Sequence, residues 1–352
     1  MSLRELGISS RQVKMGETGI SSPYFSIIIP VYNAEKTIKE CLESIFASTF
    51  DSFEVILVDD GSSDHSREIA GGFPVSIIAL ERNQGPSVAR NEGAKKARGR
   101  FLIFTDADCV FSGQLLNRTG QILSERGLKL LGGTYDPYSA DNNFFSDFQA
   151  IYDYYYETKE PYADYLAAHF MVIEKKLFLE VGGFYRGKFV GAKASCEDVD
   201  LSYRLKRLGW KLPVFADLKV KHYFDFNLKS SLKNAFKKSY LWAQFLLSDG
   251  TLLADSGVGS YELKSTIALI FCFLGSLIIS FPFPVAWFPT GLILVIMAVV
   301  NRRFLIFVAR LRGGRFTLRA AIYLLFPYCL TVGLGGFALL LQVPFRRELR
   351  RK

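Results

Sequence analysis

Glu54-Val55-Ile56-Leu57-Val58-Asp59-Asp60-Gly61-Ser62-Ser63-Asp64 runs from an apolar stretch straight into a turn with three aspartates. The apolar part, 54–58, reads as a buried strand, and Asp and Gly after it are turn formers. The pattern returns at Phe101-Leu102-Ile103-Phe104-Thr105, followed by Asp106-Ala107-Asp108-Cys109. Upstream, Phe25-Ser26-Ile27-Ile28-Ile29 is a short apolar run stopped by Pro30, and 75–79 is another such run. Ile38, Cys41, Leu42, Ile45 and Phe46 recur at helical spacing between the first two strands. A helix opens near Pro86, a good first-turn residue, and continues to about Arg98. Strands alternating with helices predict a mostly parallel α/β sheet. Ligands of such sheets lie beyond the carboxyl ends of the strands, where both aspartate clusters fall.

The second half is less regular. Segments 128–134 and 166–173 read as strands, 144–158 as an aromatic-rich helix, and 196–208 as a helix stopped at Gly209. Lys229, Lys233, Lys237 and Lys238 interleave with apolar residues over 228–247, which fits an interfacial helix or a packed surface helix. Apolar segments follow at 265–281, 285–300 and 320–341. The first two read as a helical hairpin turned at Pro282 and Pro284, and 301–319 as a cytoplasmic arginine-rich loop. The third contains Pro327 and several glycines and reads as a span or a re-entrant segment. The expected organisation is an arm over 1–23, a catalytic domain over 24–227, an amphipathic helix and linker over 228–260, and a membrane region over 261–352. No signal peptide is evident at the polar N-terminus.

The formal charge of +9 clusters beside the apolar segments, at Arg302, Arg303, Arg310, Arg312, Arg315, Arg319 and from Arg346 to Lys352. That placement suits anionic lipid headgroups. With no nucleic-acid motif beside it, nucleic acid is not an expected partner. The five cysteines are scattered without a CxxC pair, which suits reduced thiols in a cytosolic compartment. No P-loop occurs. Gly333-Leu334-Gly335-Gly336-Phe337-Ala338 fits a relaxed dinucleotide pattern, but inside an apolar segment and without a preceding strand.

Asp106-x-Asp108 offers carboxylates to a hard cation such as Mg²⁺ or Mn²⁺, which shares its shell with substrate phosphates. An exposed aspartate on the turn at Asp59 could accept a hydrogen bond from a nucleobase; a plain turn explains the same residues. Arg90 could meet a phosphate or the second aspartate cluster, or be solvated. Glu197-Asp198 reads as a capping box behind Ser195 or as a general base. His222 reads as a structural histidine or a metal ligand.

Taken in order, these pieces resemble the family 2 glycosyltransferases over about residues 25–225. The matching strings are Ile29-Pro30-Val31-Tyr32-Asn33, Val58 to Asp64, Asn83-x-Gly85, Ala89-Arg90-Asn91-x-Gly93, Asp106-x-Asp108, Gly182-Gly183-Phe184 and Glu197-Asp198-x-Asp200-Leu201. The resemblance implies a GT-A mixed sheet flanked by helices, here followed by transmembrane helices. It implies that Pro30, Tyr32, Asp59 and Asp60 bind base and ribose, with Asp59 favoured for the base. Arg90 and Asp106 would join the nucleotide-sugar site, Asp108 and His222 would hold Mn²⁺ or Mg²⁺, and Asp198 would be the catalytic base of an inverting displacement. The partners implied are a UDP- or GDP-linked sugar and a lipid or lipid-linked acceptor, with the enzyme multi-pass in the cytoplasmic membrane and its catalytic domain facing the cytoplasm. Processive members carry Gln-x-x-Arg-Trp after the base. Here the region reads Lys238-Ser239-Tyr240-Leu241-Trp242-Ala243-Gln244, which favours single transfers over a polymer synthase. The intact acids count against a silent scaffold.

Overall fold

The computed structural model describes residues 22–185, 196–249, 260–283 and 287–338. Most of the expected N-terminal arm, Ser195, Pro284, the 250–259 linker and the basic tail lie outside the described residues. The chain divides into two compact units, Met1–Asn143 with Glu157–Asp225, and Phe144–Tyr156 with Phe226–Lys352.

The first unit is built on one eight-stranded mixed sheet. Its strands are β1 (Phe25–Val31), β2 (Phe53–Asp59), β3 (Ser76–Ala79), β4 (Phe101–Thr105), β5 (Cys109–Phe111), β6 (Leu130–Tyr135), β7 (Phe170–Glu174) and β8 (Val214–His222). They lie in the order β3-β2-β1-β4-β7-β6-β8-β5. β3, β2, β1 and β4 are parallel neighbours, and β7 runs antiparallel to β4. Both faces of β1, β2 and β4 are covered, which is why these strands are continuous apolar runs, while β3 at the sheet edge stays largely exposed. Ile27, Ile29, Leu57 and Ile103 pack on one face with α1 (Ile38–Phe46) and α2 (Leu115–Arg126). Ile28, Ile56, Val58, Leu102 and Phe104 pack on the other with α3 (Pro86–Lys96) and α4 (Glu197–Arg207).

Pro30 does not stop β1. The β1–β4 pairing ends at Ile28↔Phe104, while pairing to β2 continues to Val31↔Asp59. Pro30 therefore sits where one side of the strand needs no donor. β5 escaped the sequence reading because three residues carry no period. Its antiparallel pairing puts Cys109 opposite His222.

The β6–β8 register shifts between Gly132 and Thr134. A Cβ on Gly133 would lie 2.3 Å from the Leu218 carbonyl oxygen and 2.6 Å from the Phe170 ring. Backbone cannot yield as a side-chain tip can, so Gly133→Ala should lower stability by about 3 kcal/mol. Denaturant titration of the two proteins checks this.

In the second unit, α5 (Phe144–Thr158) matches the aromatic-rich helix expected from sequence, although its residues up to Tyr156 cluster with the C-terminal helices. α6 (Leu228–Asp249) buries Ser231, Ala235 and Ser239 and exposes Lys229, Lys233, Lys237 and Lys238. Among the described residues, two helices are long and apolar enough to cross a membrane, Tyr261–Ser280 and Arg302–Ala338; Trp287–Val300 is shorter. Tyr261–Ser280 and Trp287–Val300 pair antiparallel. Thr290 Oγ1 meets Ser280 Oγ at 2.9 Å at one end, and Asn301 Nδ2 donates to Thr266 Oγ1 at 2.7 Å at the other. At the turn between them Phe281, Phe283, Trp287 and Phe288 are exposed.

The 301–319 stretch is helix rather than the expected loop. Its arginines alternate with apolar residues at helical spacing, so Phe304 and Val308 are buried while Arg302, Arg303, Arg310, Arg315 and Arg319 stay exposed. Gly313, at φ 77°, breaks the run in a conformation that glycine adopts without strain. Pro327 is absorbed by a π-helical turn over Leu324–Tyr328.

Candidate active site

A cleft of about 1230 Å³ opens at the carboxyl ends of β1, β2 and β4. Of the residues singled out from sequence, Pro30, Tyr32, Asp60, Arg90, Asp106 and Asp108 line it. The parallel register explains this convergence, since Val31, Asp59 and Thr105 end neighbouring strands at one edge.

Tyr32 is 50% exposed on the cleft wall, a free aromatic face. Its loop is zipped to the acidic turn: Ser63 N donates to Asn33 Oδ1 at 2.9 Å, and Glu35 N to Asp64 Oδ2 at 3.0 Å. Burial pushes the Asp64 carboxyl up, but hydrogen bonds from Ser66 and Glu35 together hold it below its ordinary range.

The two neighbouring aspartates differ from the exposed base-binder read in sequence. β2 continues to Asp59, which makes Asp59 a strand residue, 2% exposed, whose Oδ1 closes the turn by accepting from Ser62 N at 3.0 Å. Asp60 lines the cleft, but its two oxygens accept from Gln84 N at 2.7 Å and Gly85 N at 2.8 Å. It thereby fixes the turn that starts α3, where Gly85 holds φ 93°.

Arg90 is 4% exposed. Its Nη2 donates to Asp106 Oδ1 and its Nη1 to Glu197 Oε1, both at 2.6 Å, and the guanidinium lies 5.7 Å from the Phe184 ring centre. Of the alternatives read from sequence, the structure places Arg90 on the second aspartate cluster. Burial disfavours its charge, but Asp106 and Glu197 raise its pKa further. In return Arg90 overcomes burial at Asp106 and holds that carboxyl low.

Asp198 follows Glu197 on α4, whose N-cap is Cys196 without a side-chain cap bond. Its oxygens accept from Val199 N at 2.8 Å and Ala168 N at 3.3 Å. Burial and the Glu197 charge push its pKa up to about 6, against the pull of Arg90. A carboxylate at that level is a competent proton acceptor near neutrality.

Asp108 Oδ1 lies 3.1 Å from His222 Nε2, brought there by the β5–β8 pairing. Ligand atoms of Asp108, Cys109 and His222 lie within 4.8 Å of one another. Burial pushes the Cys109 thiol well up, which leaves a carboxylate and an imidazole as donors. That set fits Mn²⁺ well and Mg²⁺ acceptably.

Sequence reading missed Glu197 as the second partner of Arg90, and it missed Lys36, Asp141 and Tyr223 on the cleft wall. Asp141 accepts from Phe224 N at 2.7 Å and Asp225 N at 2.9 Å, closing the wall beside His222. No local pattern marks a pair so distant in sequence.

The family model described as Glycosyl transferase family 2 matches residues 26–181. The chain is 36% identical over 121 residues to glycosyltransferase AglE of Haloferax volcanii, covering 32% of this chain and 40% of that protein. It is 32% identical over 130 residues to glycosyltransferase GlyG of Streptococcus pneumoniae, covering 35% and 43%. The matches thus span about two fifths of these curated relatives. Among solved structures, the mannosyltransferase PcManGT from Pyrobaculum calidifontis, in complex with GDP-Man and Mn²⁺, superposes with a TM-score of 0.54. That match covers 97% of this chain and 93% of PcManGT at 16% identity, which shows a shared fold.

Proposed function

We propose that this chain, whose residues 26–181 match the family 2 glycosyltransferase model, transfers a sugar, with inversion, from a UDP- or GDP-linked donor to a lipid-linked or membrane-proximal acceptor. The observation that carries this reading is the meeting, at one sheet edge, of the Asp108–His222 pair, the Arg90–Asp106 pair and a cleft large enough for a nucleotide sugar. Asp198, with its raised pKa, supplies the base.

In this reading Tyr32 stacks on the nucleobase, while Asp60 acts by holding the 83–85 turn in the cleft wall. Asp106, oriented by Arg90, faces ribose and sugar. Asp198 takes the proton of the acceptor hydroxyl as its oxygen bonds to the sugar C1 and the bond from C1 to the diphosphate breaks. Asp108 and His222 would hold Mn²⁺ or Mg²⁺, and a bound ion would supply stabilisation of charge on the leaving diphosphate. The apolar helices anchor the enzyme in the cytoplasmic membrane as a multi-pass protein, with the cleft on the cytoplasmic side and the exposed lysines of α6 on anionic headgroups.

Release of nucleoside diphosphate from a panel of nucleotide sugars, by protein in lipid nanodiscs supplied with membrane lipid extract, tests the proposal. One donor should be turned over with Mn²⁺ or Mg²⁺ and none in EDTA. His222→Ala should raise the Mn²⁺ concentration for half activity. Neither release nor nucleotide binding across the panel would sink the reading.

A further inference from the structure

We infer that Glu197 is a positioning residue that, through Arg90, ties the helix bearing Asp198 to Asp106, so that one guanidinium spaces the acceptor-side base from the donor-side aspartate. The inference rests on the transferase reading above and assigns it a residue outside the implied ligand set.

Three elements meet at this tie. α3 carries Arg90, the end of β4 leads into Asp106, and α4 opens with Glu197. The two 2.6 Å bonds use both terminal amino groups of Arg90, each turned onto a carboxylate. Only 5% of the Arg90 side chain and 10% of the Glu197 side chain are exposed. A guanidinium is a rigid planar fork, so the separation of its two partners is set by its own geometry; a lysine would supply charge without that spacing.

The charged groups acting on Asp198 are Glu197, which disfavours its ionised form, and Arg90, which favours it. The amides of Ala168 and Val199 hold its oxygens. Glu197 thus has two separable effects: its charge strengthens Asp198 as a base, and its reach to Arg90 holds α4 in register with the end of β4.

The test is a set of pH–rate profiles in nanodiscs for wild type, Glu197→Gln and Glu197→Asp. Glutamine keeps an oxygen for Arg90 but removes the charge. Its acid limb should move down by about one pH unit and kcat fall about tenfold, with the donor KM within about twofold. Aspartate keeps the charge and loses reach, so its acid limb should stay in place while kcat falls. A Glu197→Asp profile superimposable on wild type, with kcat unchanged, would overturn the inference. Wild type silent toward every donor would instead remove the transferase reading. Hydrogen exchange then decides the tie by itself. Glu197→Ala should speed exchange of amides in 197–207 and leave 101–105 protected, and unchanged exchange in 197–207 overturns it.

Discussion

Asp198→Asn should lower turnover by about three orders of magnitude while the protein still binds nucleotide and keeps its fold. Asparagine preserves the shape and, with its single carbonyl oxygen, one of the two bonds from Val199 and Ala168, but cannot take a proton. In the wild type the rate should fall about tenfold per pH unit below about pH 6, because the base titrates there. Stability carries the opposite sign. The folded pKa is raised above the ordinary carboxyl value of 3.8, so the unfolded chain ionises more readily. Stability at this residue is therefore full below that value and is lost as pH rises through about 6. At pH 7.5 the asparagine variant, which has no charge to bury, should be more stable than wild type by about 1 kcal/mol after allowance for partial exposure and one lost hydrogen bond, and should unfold at a higher temperature. Lost turnover with a raised midpoint separates a chemical role from a folding defect; a lowered midpoint would count against the assignment.

Arg90→Met should cost about 3–5 kcal/mol, among the largest effects of any single change here. Methionine fills the space beside Phe184 but leaves Asp106 and Glu197 without their counter-charge. The deficit should shrink as pH falls, because protonating those carboxylates removes the uncompensated charge. In the wild type the depressed Asp106 pKa runs the same way: its stabilisation is present above the ordinary carboxyl value and is lost as pH falls through the lower folded one. Thermal unfolding of both proteins at pH 5 and pH 8 checks this. An equal gap at the two pH values would mean that packing, not charge, sets the cost.

The sheet was legible where local pattern and tertiary environment agree. β1, β2 and β4 are buried on both faces, and continuous apolar runs are what double burial demands. The placing of both aspartate clusters at one edge follows from parallel strands alone. Pro30 misled because a proline rule assumes hydrogen bonding on both sides of the strand, and β1 has lost one neighbour by that point. The burial of Asp59 depended on a single further residue of β2, which turned an apparent loop acid into a strand acid. The Asp108–His222 contact arises from a three-residue strand pairing across more than a hundred residues, and no short window contains it. Over 301–319, charge density suggested a loop, yet spacing rather than composition decides whether arginines sit on a helix face.

The aromatic turn at the end of the paired helices has a consequence for mapping topology. Phe281-Pro282-Phe283-Pro284-Val285-Ala286-Trp287-Phe288 contains no amine, thiol or carboxylate. Seated in a bilayer, it offers nothing to a water-soluble acylating or alkylating reagent on either side. Cys272 is exposed partway along the preceding helix, so only a thiol probe that partitions into lipid would label it. Acylation and alkylation would therefore leave the turn unmarked. A cysteine placed there by Phe283→Cys, read with membrane-permeant and impermeant maleimides, would make its depth visible.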